Sequence, residues 1–307
     1  MNQEYVDTVR LLLDIVPDVF RSGRFAIKGG TALNLFVQDM PRLSVDIDVV
    51  IVDHKLDREM ALASIAEELG SIRNALTDRG LQVQLPANDL GNEVRMLVSS
   101  GIVRVKVEVN FVFRGTVMPV RALPLVETAQ ELFTTAVSVP ALAIEELYGS
   151  KLVAAMDRQH PRDFFDVLHM HQRFRWQESF VDCFVAYLAG HNRPVHEVLF
   201  PNVKPLEPTF TNEFVGMTRV DIQLAALVET QAMLLDQLPR QLLARHREFL
   251  LSLVRGEPDW TLMPFAHLRE LPALQWKLIN LARLKKANPG RFAVQHDELA
   301  RRFAALD

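Results

Sequence analysis

Two aspartates interrupt an otherwise apolar stretch, residues 45–52, and this pattern constrains the fold more than any other part of the chain. The stretch is predicted to be a β-strand, in which Asp46 and Asp48 point to the same face because alternate residues share a side. Two neighbouring carboxylates in a buried strand repel each other and lose hydration, which costs several kcal/mol for each charge. A bound divalent cation would offset that cost. The alternative is that both aspartates cap the end of the strand.

Two glycines precede this strand. Gly29 and Gly30 follow a short apolar strand at residues 25–27 and lead into a helix predicted over residues 31–37. Glycine lets the backbone approach a phosphate closely, and the helix would turn its positive end towards that phosphate. By themselves the glycines would indicate an ordinary turn. Placed before the aspartate pair, they predict the phosphate cradle of a metal-dependent phosphate-transfer site.

The chain resembles a known family in two separated segments. The sequence GGTALNLF at residues 29–36, followed by RLSVDID at residues 42–48, is similar to the first signature of the AbiEii/AbiGii toxin family of the nucleotidyltransferase superfamily. The family's second signature, a lysine followed on the next helix by R-D-x-x-D, occurs at Lys151 and residues 162–166. RGEPDW at residues 255–260 is also similar to bacterial members. The motifs cover residues 25–170, with weaker support to residue 285.

The resemblance implies a Mg²⁺-dependent nucleotidyltransferase that takes an NTP, transfers the nucleoside monophosphate to an acceptor and releases pyrophosphate. It also implies the toxin of a bacterial toxin-antitoxin or phage-defence system, with a cognate antitoxin protein as partner and the 3′ end of tRNA as acceptor. Two alternatives stay open. One is nucleotidylation of a protein, and the other is a non-catalytic nucleotide-binding or partner-binding module that has kept the fold.

Spacing and resemblance together assign roles to individual residues. The catalytic positions are Asp46, Asp48, Lys151 and Asp163. The nucleotide-binding positions are Gly29, Gly30, Thr31, Ser44 and Lys151. The metal ligands are Asp46, Asp48 and, as a third carboxylate from a neighbouring strand, Glu108.

The role of Glu108 rests on the alternation of residues 105–111, which places Val107 and Val109 on one face and Lys106 and Glu108 on the other. The alternative is that this polar face is only solvated. Ser44 lies two residues before Asp46 and would share its face, or it could cap the preceding turn. Arg42 could offset phosphate charge or pair with Asp46, and both remain open.

Lys151 and Arg158 lie seven residues apart on one predicted helix, so they share a face. The resemblance gives the Lys151 position to triphosphate binding, which suits a mobile point charge. It makes Asp163 essential, either to orient Lys151 or as general base on the attacking hydroxyl. The helix dipole alone would also favour a carboxylate at Asp163. Asp166 shares its face and is predicted to be structural.

The composition narrows the class of protein. A net charge of −4 argues against a broad basic face for nucleic acid, so any RNA contact must come from a local patch. The candidate patches are Arg283 with Lys285 and Lys286, and Arg240 with Arg245 and Arg247. One cysteine and no zinc-like spacing predict a reducing compartment without structural zinc. No signal peptide or membrane span is apparent, so we expect a cytoplasmic protein.

Apolar periodicity predicts an α/β fold: a nucleotidyltransferase-like mixed sheet with flanking helices, followed by a mostly helical C-terminal lobe. Residues 1–140 are assigned to the catalytic lobe, and residues 141–307 to a helical lobe that completes the nucleotide cleft. Helices are predicted over residues 5–20, 56–79, 141–157, 220–238 and 271–286, with one opening at Pro161 and a Pro-rich connection at 194–208. Strands are predicted over residues 25–27, 45–52, 81–85, 93–98, 102–113 and 134–139, with a hairpin turn at 99–101.

Overall fold

A computed structural model describes residues 3–87 and 94–306 of the chain. The chain divides into two compact units, one formed by Met1–Leu147 with Val215–Ile222 and the other by Tyr148–Phe214 with Gln223–Asp307. The first unit contains the β-sheet and the second is helical. The predicted boundary after residue 140 lies seven residues before the end of the first segment, and the nucleotide cleft stays a prediction.

The first unit is built around a mixed sheet, as predicted. Its elements are α1 (Gln3–Val19), β1 (Phe25–Lys28), α2 (Gly29–Phe36), β2 (Asp46–Ile51), α3 (Arg58–Asp78), β3 (Gln82–Gln84), β4 (Arg95–Ser100), β5 (Val103–Asn110), β6 (Arg121–Pro124), α4 (Glu127–Phe133) and β7 (Ser138–Ala141). The seven strands formed by the described residues lie in the order β3-β4-β5-β2-β1-β7-β6. β2 runs antiparallel to β1 and parallel to β5, so it is a central strand. Its polar residues therefore lie beside residues of both neighbouring strands.

The alternation of β5 shows how the sequence sets the two faces of the sheet. Val105, Val107 and Val109 are buried, whereas Lys106 and Glu108 on the opposite face are half-buried. The hairpin between β4 and β5 turns at Gly101, whose φ of 79° is a conformation that favours glycine. This confirms the predicted turn and places the polar face of β5 beside β2.

The second unit is helical, as predicted. Its elements, with the helix that enters it from the first unit, are α5 (Ile144–Arg158), α6 (Pro161–Phe174), α7 (Glu178–Ala189), α8 (Val195–Leu199), α9 (Glu207–Glu213), α10 (Leu224–Arg240), α11 (Ala244–Val254), α12 (Pro272–Ala287) and α13 (Pro289–Ala304), with 3₁₀ turns at Trp260–Leu262 and Leu268–Glu270. Gly149 allows α5 to approach α7, because a Cβ atom there would lie 2.5 Å from the Cβ of Cys183. None of the helices described here is long and apolar enough to cross a bilayer.

Three sequence predictions about local structure were wrong. Pro140 does not begin a helix: it lies in β7 opposite Ala122 of β6, and the helix begins at Ile144. The strand predicted over 134–139 begins only at Ser138, because Thr134 adopts a left-handed conformation at the end of α4. The Pro-rich segment predicted as a connection contains helix α8. In addition, β6 and α4 were not predicted, because their sequences show no clear periodic pattern. Residue 93 of the predicted strand 93–98 lies outside the described residues.

Candidate active site

The carboxylates predicted as metal ligands lie side by side on one face of the sheet. The parallel register of β2 and β5 places Asp46 opposite Lys106 and Asp48 opposite Glu108. The antiparallel register of β1 and β2 places Lys28 opposite Asp48. Because directly paired residues share a face, three carboxylates and two ammonium groups meet on the same side.

Lys106 is a cation that the sequence analysis placed on this face without a role. Its Nζ lies 2.8 Å from an oxygen of Glu108 and 4.0 Å from an oxygen of Asp46. A second cation, Arg95, lies 3.7 Å from Glu108. Burial by itself would raise the pKa of Glu108, but Lys106 and Arg95 lower it. The alternation of β5 was the available signal for Lys106.

Asp48 lies in a less favourable environment than Glu108. Burial raises the pKa of Asp48, and the charges of Asp46 and Glu108 add to that increase, while Lys28 and Lys106 oppose it. Burial in turn lowers the pKa of Lys28, against the charge of Asp48. The sequence pattern alone did not predict a role for Lys28, because only the cross-strand register brings Lys28 to Asp48. On this face of the sheet the ionised form of Asp48 is therefore disfavoured, and an added cation would stabilise it.

The two glycines form the first turn of α2 and not a separate turn before it, so the helix begins two residues earlier than predicted. Gly29 has a φ of 74°, and a Cβ atom there would lie 2.5 Å from Oδ2 of Asp48. A Cβ atom on Gly30 would lie 2.8 Å from Nη2 of Arg42 and 3.1 Å from Oγ of Ser44. The glycines thus bring the backbone against Asp48 on one side and against Arg42 and Ser44 on the other.

We expect Gly29→Ala to lower both stability and transfer activity. A non-glycine residue in this left-handed conformation costs about 1 kcal/mol, and the new methyl group must also displace the Asp48 carboxylate. Gly23→Ala is the matched control, because Gly23 has a φ of 72° but a methyl group there would meet no described residue within 4 Å. Urea unfolding should show a larger loss for Gly29→Ala, and only that variant should lose transfer. Equal effects of the two variants would contradict this assignment.

Thr31 contacts the protein backbone in this structure. Its side chain is 1% exposed, and its hydroxyl donates a hydrogen bond to the carbonyl oxygen of Asp46. The bond ties α2 to the start of β2. Thr31 therefore helps to place the Asp46 carboxylate.

A late segment of the chain, Val215–Ile222, belongs to the first unit and pairs with the loop before β2. Leu43 N–H donates to the carbonyl of Met217 over 2.9 Å, and Arg219 N–H donates to the carbonyl of Pro41 over 3.0 Å. These bonds bracket Arg42, which is 2% exposed and donates from Nη1 to the carbonyl of its neighbour over 3.0 Å. No periodic pattern in the late segment predicted this pairing.

In the second unit, the residues of the second signature form a buried ion-pair cluster. Lys151 is 5% exposed, and its Nζ lies 3.1 Å from Asp163 and 2.8 Å from Asp166. Both carboxylates are fully buried. Arg158 also donates to Asp163, over 2.5 and 2.7 Å. The predicted shared face of Lys151 and Arg158 thus converges on one carboxylate, and Lys151 is held in place.

The protonation of Asp163 follows from these partners. Burial by itself would raise the pKa of Asp163, but Lys151 and Arg158 lower it to about 2. The carboxylate therefore stays ionised across the physiological range and is a weak proton acceptor. Its geometry favours orienting Lys151 over acting as a general base.

The structure thus gathers the predicted residues in two groups, each within one unit. The first unit holds Gly29, Gly30, Thr31, Ser44, Asp46, Asp48 and Glu108, and the second holds Lys151, Asp163 and Asp166. Across residues 3–87 and 94–306, no three His, Cys, Asp or Glu side chains already converge as a metal site. The carboxylates of the first group are Asp46, Asp48 and Glu108, and their charge is partly neutralised by Lys28 and Lys106.

A mixed sheet that carries paired aspartates beside a glycine-led helix defines a nucleotidyltransferase-like protein. A family model described as nucleotidyl transferase AbiEii toxin, type IV toxin-antitoxin system, matches residues 10–280. The chain therefore belongs to the AbiEii family and is a nucleotidyltransferase toxin of that type, as the resemblance implied. This class implies an NTP substrate and an antitoxin counterpart.

Comparison with solved structures supports the fold. The chain is similar to MenT4, a nucleotidyltransferase toxin from Mycobacterium tuberculosis H37Rv, with a TM-score of 0.60 and 15% sequence identity. The match covers 90% of this chain and 93% of that chain. No curated protein matches the sequence significantly.

Proposed function

We propose that the protein transfers a nucleoside monophosphate from an NTP to the 3′ end of tRNA, with Mg²⁺ as cofactor. The observation that carries this proposal is the register of β2 with β5 and β1, which sets Asp46, Asp48 and Glu108 on one face beside the glycine-led start of α2. The family supports the transfer reaction. RNA as the acceptor rests on the family resemblance of both signatures.

The donor set fits a magnesium ion. All candidate ligands are carboxylate oxygens, which hard divalent cations prefer. The raised pKa of Asp48 indicates a charge that the protein leaves incompletely balanced. Asp46 and Asp48 would hold the ion, with Glu108 as the third candidate, which shares its carboxylate with Lys106. Bound Mg²⁺ would neutralise charge on the triphosphate and favour attack by the acceptor hydroxyl.

The protein's own groups would bind and orient the nucleotide. The backbone N–H groups at the start of α2 would donate to phosphate oxygens at Gly29 and Gly30, which carry no side chain of their own. The guanidinium of Arg42 and the hydroxyl of Ser44 lie against Gly30 and would donate to the same oxygens. Thr31 would act indirectly, by holding the backbone of Asp46.

In the second unit, Lys151 would bind the triphosphate and Asp163 would be its positioning residue. The two short contacts of Lys151 with Asp163 and Asp166 fix the direction of its ammonium group. A fixed cation loses less entropy when it binds a phosphate than a mobile one. Proton removal is not assigned to Asp163, because its pKa of about 2 makes it a weak base.

The test is incubation of purified protein with Mg²⁺, total tRNA and each of the four α-labelled NTPs. Wild type should label tRNA with at least one NTP, and Asp46→Ala should reduce the rate by about 10³-fold. Glu131→Ala, an exposed carboxylate on α4, is the matched control and should keep full activity. Label on protein in place of tRNA would support nucleotidylation of a protein. No label with any NTP would reject a transferase.

A further inference from the structure

Helix α12 carries an unusual concentration of positive charge for an acidic protein. Residues 271–296 contain five Lys and Arg residues and no Asp or Glu, although the whole chain has a net charge of −4. Lys277 points inwards and donates to the carbonyls of His191 and Arg193 over 2.9 and 2.7 Å. The other four, Arg283, Lys285, Lys286 and Arg291, are exposed.

These four cations differ from the other basic patch that the sequence indicated. Arg240 pairs with Asp236 over 3.4 Å, and Arg245 pairs with Glu178 over 2.7 Å and also with Asp182. On α13, Arg301 and Arg302 share Glu298. In the part of the chain that the structure describes, no carboxylate forms an ion pair with the three cations of α12 or with Arg291 in the first turn of α13. Their charge is therefore available to an external anion.

The same helix exposes apolar surface between its charges. Trp276 and Ile279 are each 44% exposed, and the guanidinium of Arg283 lies 5.5 Å from the centre of the Trp276 ring. Trp276, Ile279, Arg283 and Lys286 recur at helical spacing, so they form one stripe about 15 Å long. The opposite side of α12 is buried through Ala273, Leu274, Lys277 and Leu281. We call this stripe, with Lys285 and Arg291 beside it, the α12 face.

We propose that the α12 face is the docking surface for the acceptor RNA. Unpaired cations would contact phosphates and release counterions, and the exposed indole would stack on a base, which is the combination that single-stranded RNA segments favour. An acidic protein partner would also bind the cations, but it would gain less than RNA from the exposed ring of Trp276 beside Arg283. The inference rests on the proposed RNA acceptor. Most of this surface lies beyond residue 280, where the family match ends.

The test measures tRNA binding by fluorescence anisotropy at several salt concentrations. We expect R283E/K286E to weaken binding by at least 10-fold and to reduce the slope of log affinity against log salt by about 1.5, because two phosphate contacts are lost. W276A should weaken binding by about 10-fold with the slope unchanged, because stacking releases no counterions. R58E/R73E is the matched control, with the same charge change on two exposed arginines of α3. It should bind like wild type.

Transfer kinetics separate this inference from the proposed function. In R283E/K286E, the KM for tRNA should rise by at least 10-fold, while kcat and NTP binding stay at wild-type values. If wild type transfers nucleotide and R283E/K286E has an unchanged KM for tRNA, the α12 face is overturned and the proposed function stands. If R283E/K286E binds tRNA more weakly but wild type transfers no nucleotide, the α12 face stands and the proposed function is rejected. Loss of antitoxin binding or of self-association, with RNA binding intact, would overturn the surface in favour of a protein partner.

Discussion

Asp48→Asn should strongly reduce nucleotide transfer and, in the absence of Mg²⁺, make the protein harder to unfold. The carboxylate has a pKa above its ordinary value of 3.8, mainly because of burial. A raised folded-state pKa means that ionised Asp48 lowers the free energy of unfolding, and this cost appears as the pH rises through 3.8 towards the folded value. The amide removes the cost at neutral pH. It also removes a proposed metal ligand, so transfer should fall by about 10³-fold.

The measurement is urea unfolding at neutral pH, with and without Mg²⁺. Added Mg²⁺ should stabilise wild type and leave Asp48→Asn unchanged. Glu108→Gln is a contrasting control from the same face, because Lys106 and Arg95 lower the pKa of Glu108 and the ionised group is stabilising. That variant should lose stability, by less than about 1 kcal/mol for a partly exposed pair. A less stable Asp48→Asn variant that still responds to Mg²⁺ would refute the assignment of Asp48.

Lys151→Met should have the largest effect on stability. It leaves two fully buried carboxylates, Asp163 and Asp166, without the ammonium group that lies 3.1 and 2.8 Å away. Breaking a buried ion pair on one side costs about 3–5 kcal/mol. Arg158→Gln is the mild control, because the Arg158 side chain is 60% exposed and Lys151 still neutralises Asp163. In urea unfolding, Lys151→Met should lose several times more free energy of unfolding than Arg158→Gln.

A triple variant, Lys151→Met with Asp163→Asn and Asp166→Asn, separates stability from function. Removing all three charges together leaves no buried carboxylate of this cluster unpaired, so most of the lost stability should return. NTP binding should stay lost if Lys151 binds the triphosphate. Recovery of both stability and NTP binding would show that the cluster is structural only.

Acid unfolding gives an independent check on this cluster. The pKa of Asp163 is about 2 in the folded protein and ordinarily 3.8, so its contribution is complete above 3.8 and is lost as the pH falls towards 2. The difference corresponds to about 2 kcal/mol. Wild type should therefore lose stability through this range more steeply than the triple variant.

The sequence predicted those parts of the site that depend on local pattern. The i, i+2 spacing of Asp46 and Asp48 and the alternation of β5 determine which faces their side chains occupy, whatever the rest of the chain does. Glu108 was found in the same way. These elements were predictable because a strand in a sheet leaves only two directions for each side chain.

The missed features depend on pairing between distant segments. Lys28 meets Asp48 only through the register of β1 and β2, which apolar residues alone do not specify. Pro140 looked like a helix start, but the residue pairs in a strand, and proline favours an extended conformation before it. Lys151 was expected to be mobile and is buried, because its carboxylate partners come from the next helix.

The pairing of Val215–Ile222 with the loop before β2 has a consequence during protein synthesis. A ribosome that has translated the first 147 residues has made strands β1 to β7, yet the loop carrying Arg42 still lacks its partner. Folding of this unit is complete only after residue 222 has emerged from the exit tunnel. A chain that stops before residue 215 therefore lacks the backbone hydrogen-bond partners of the loop that carries Arg42.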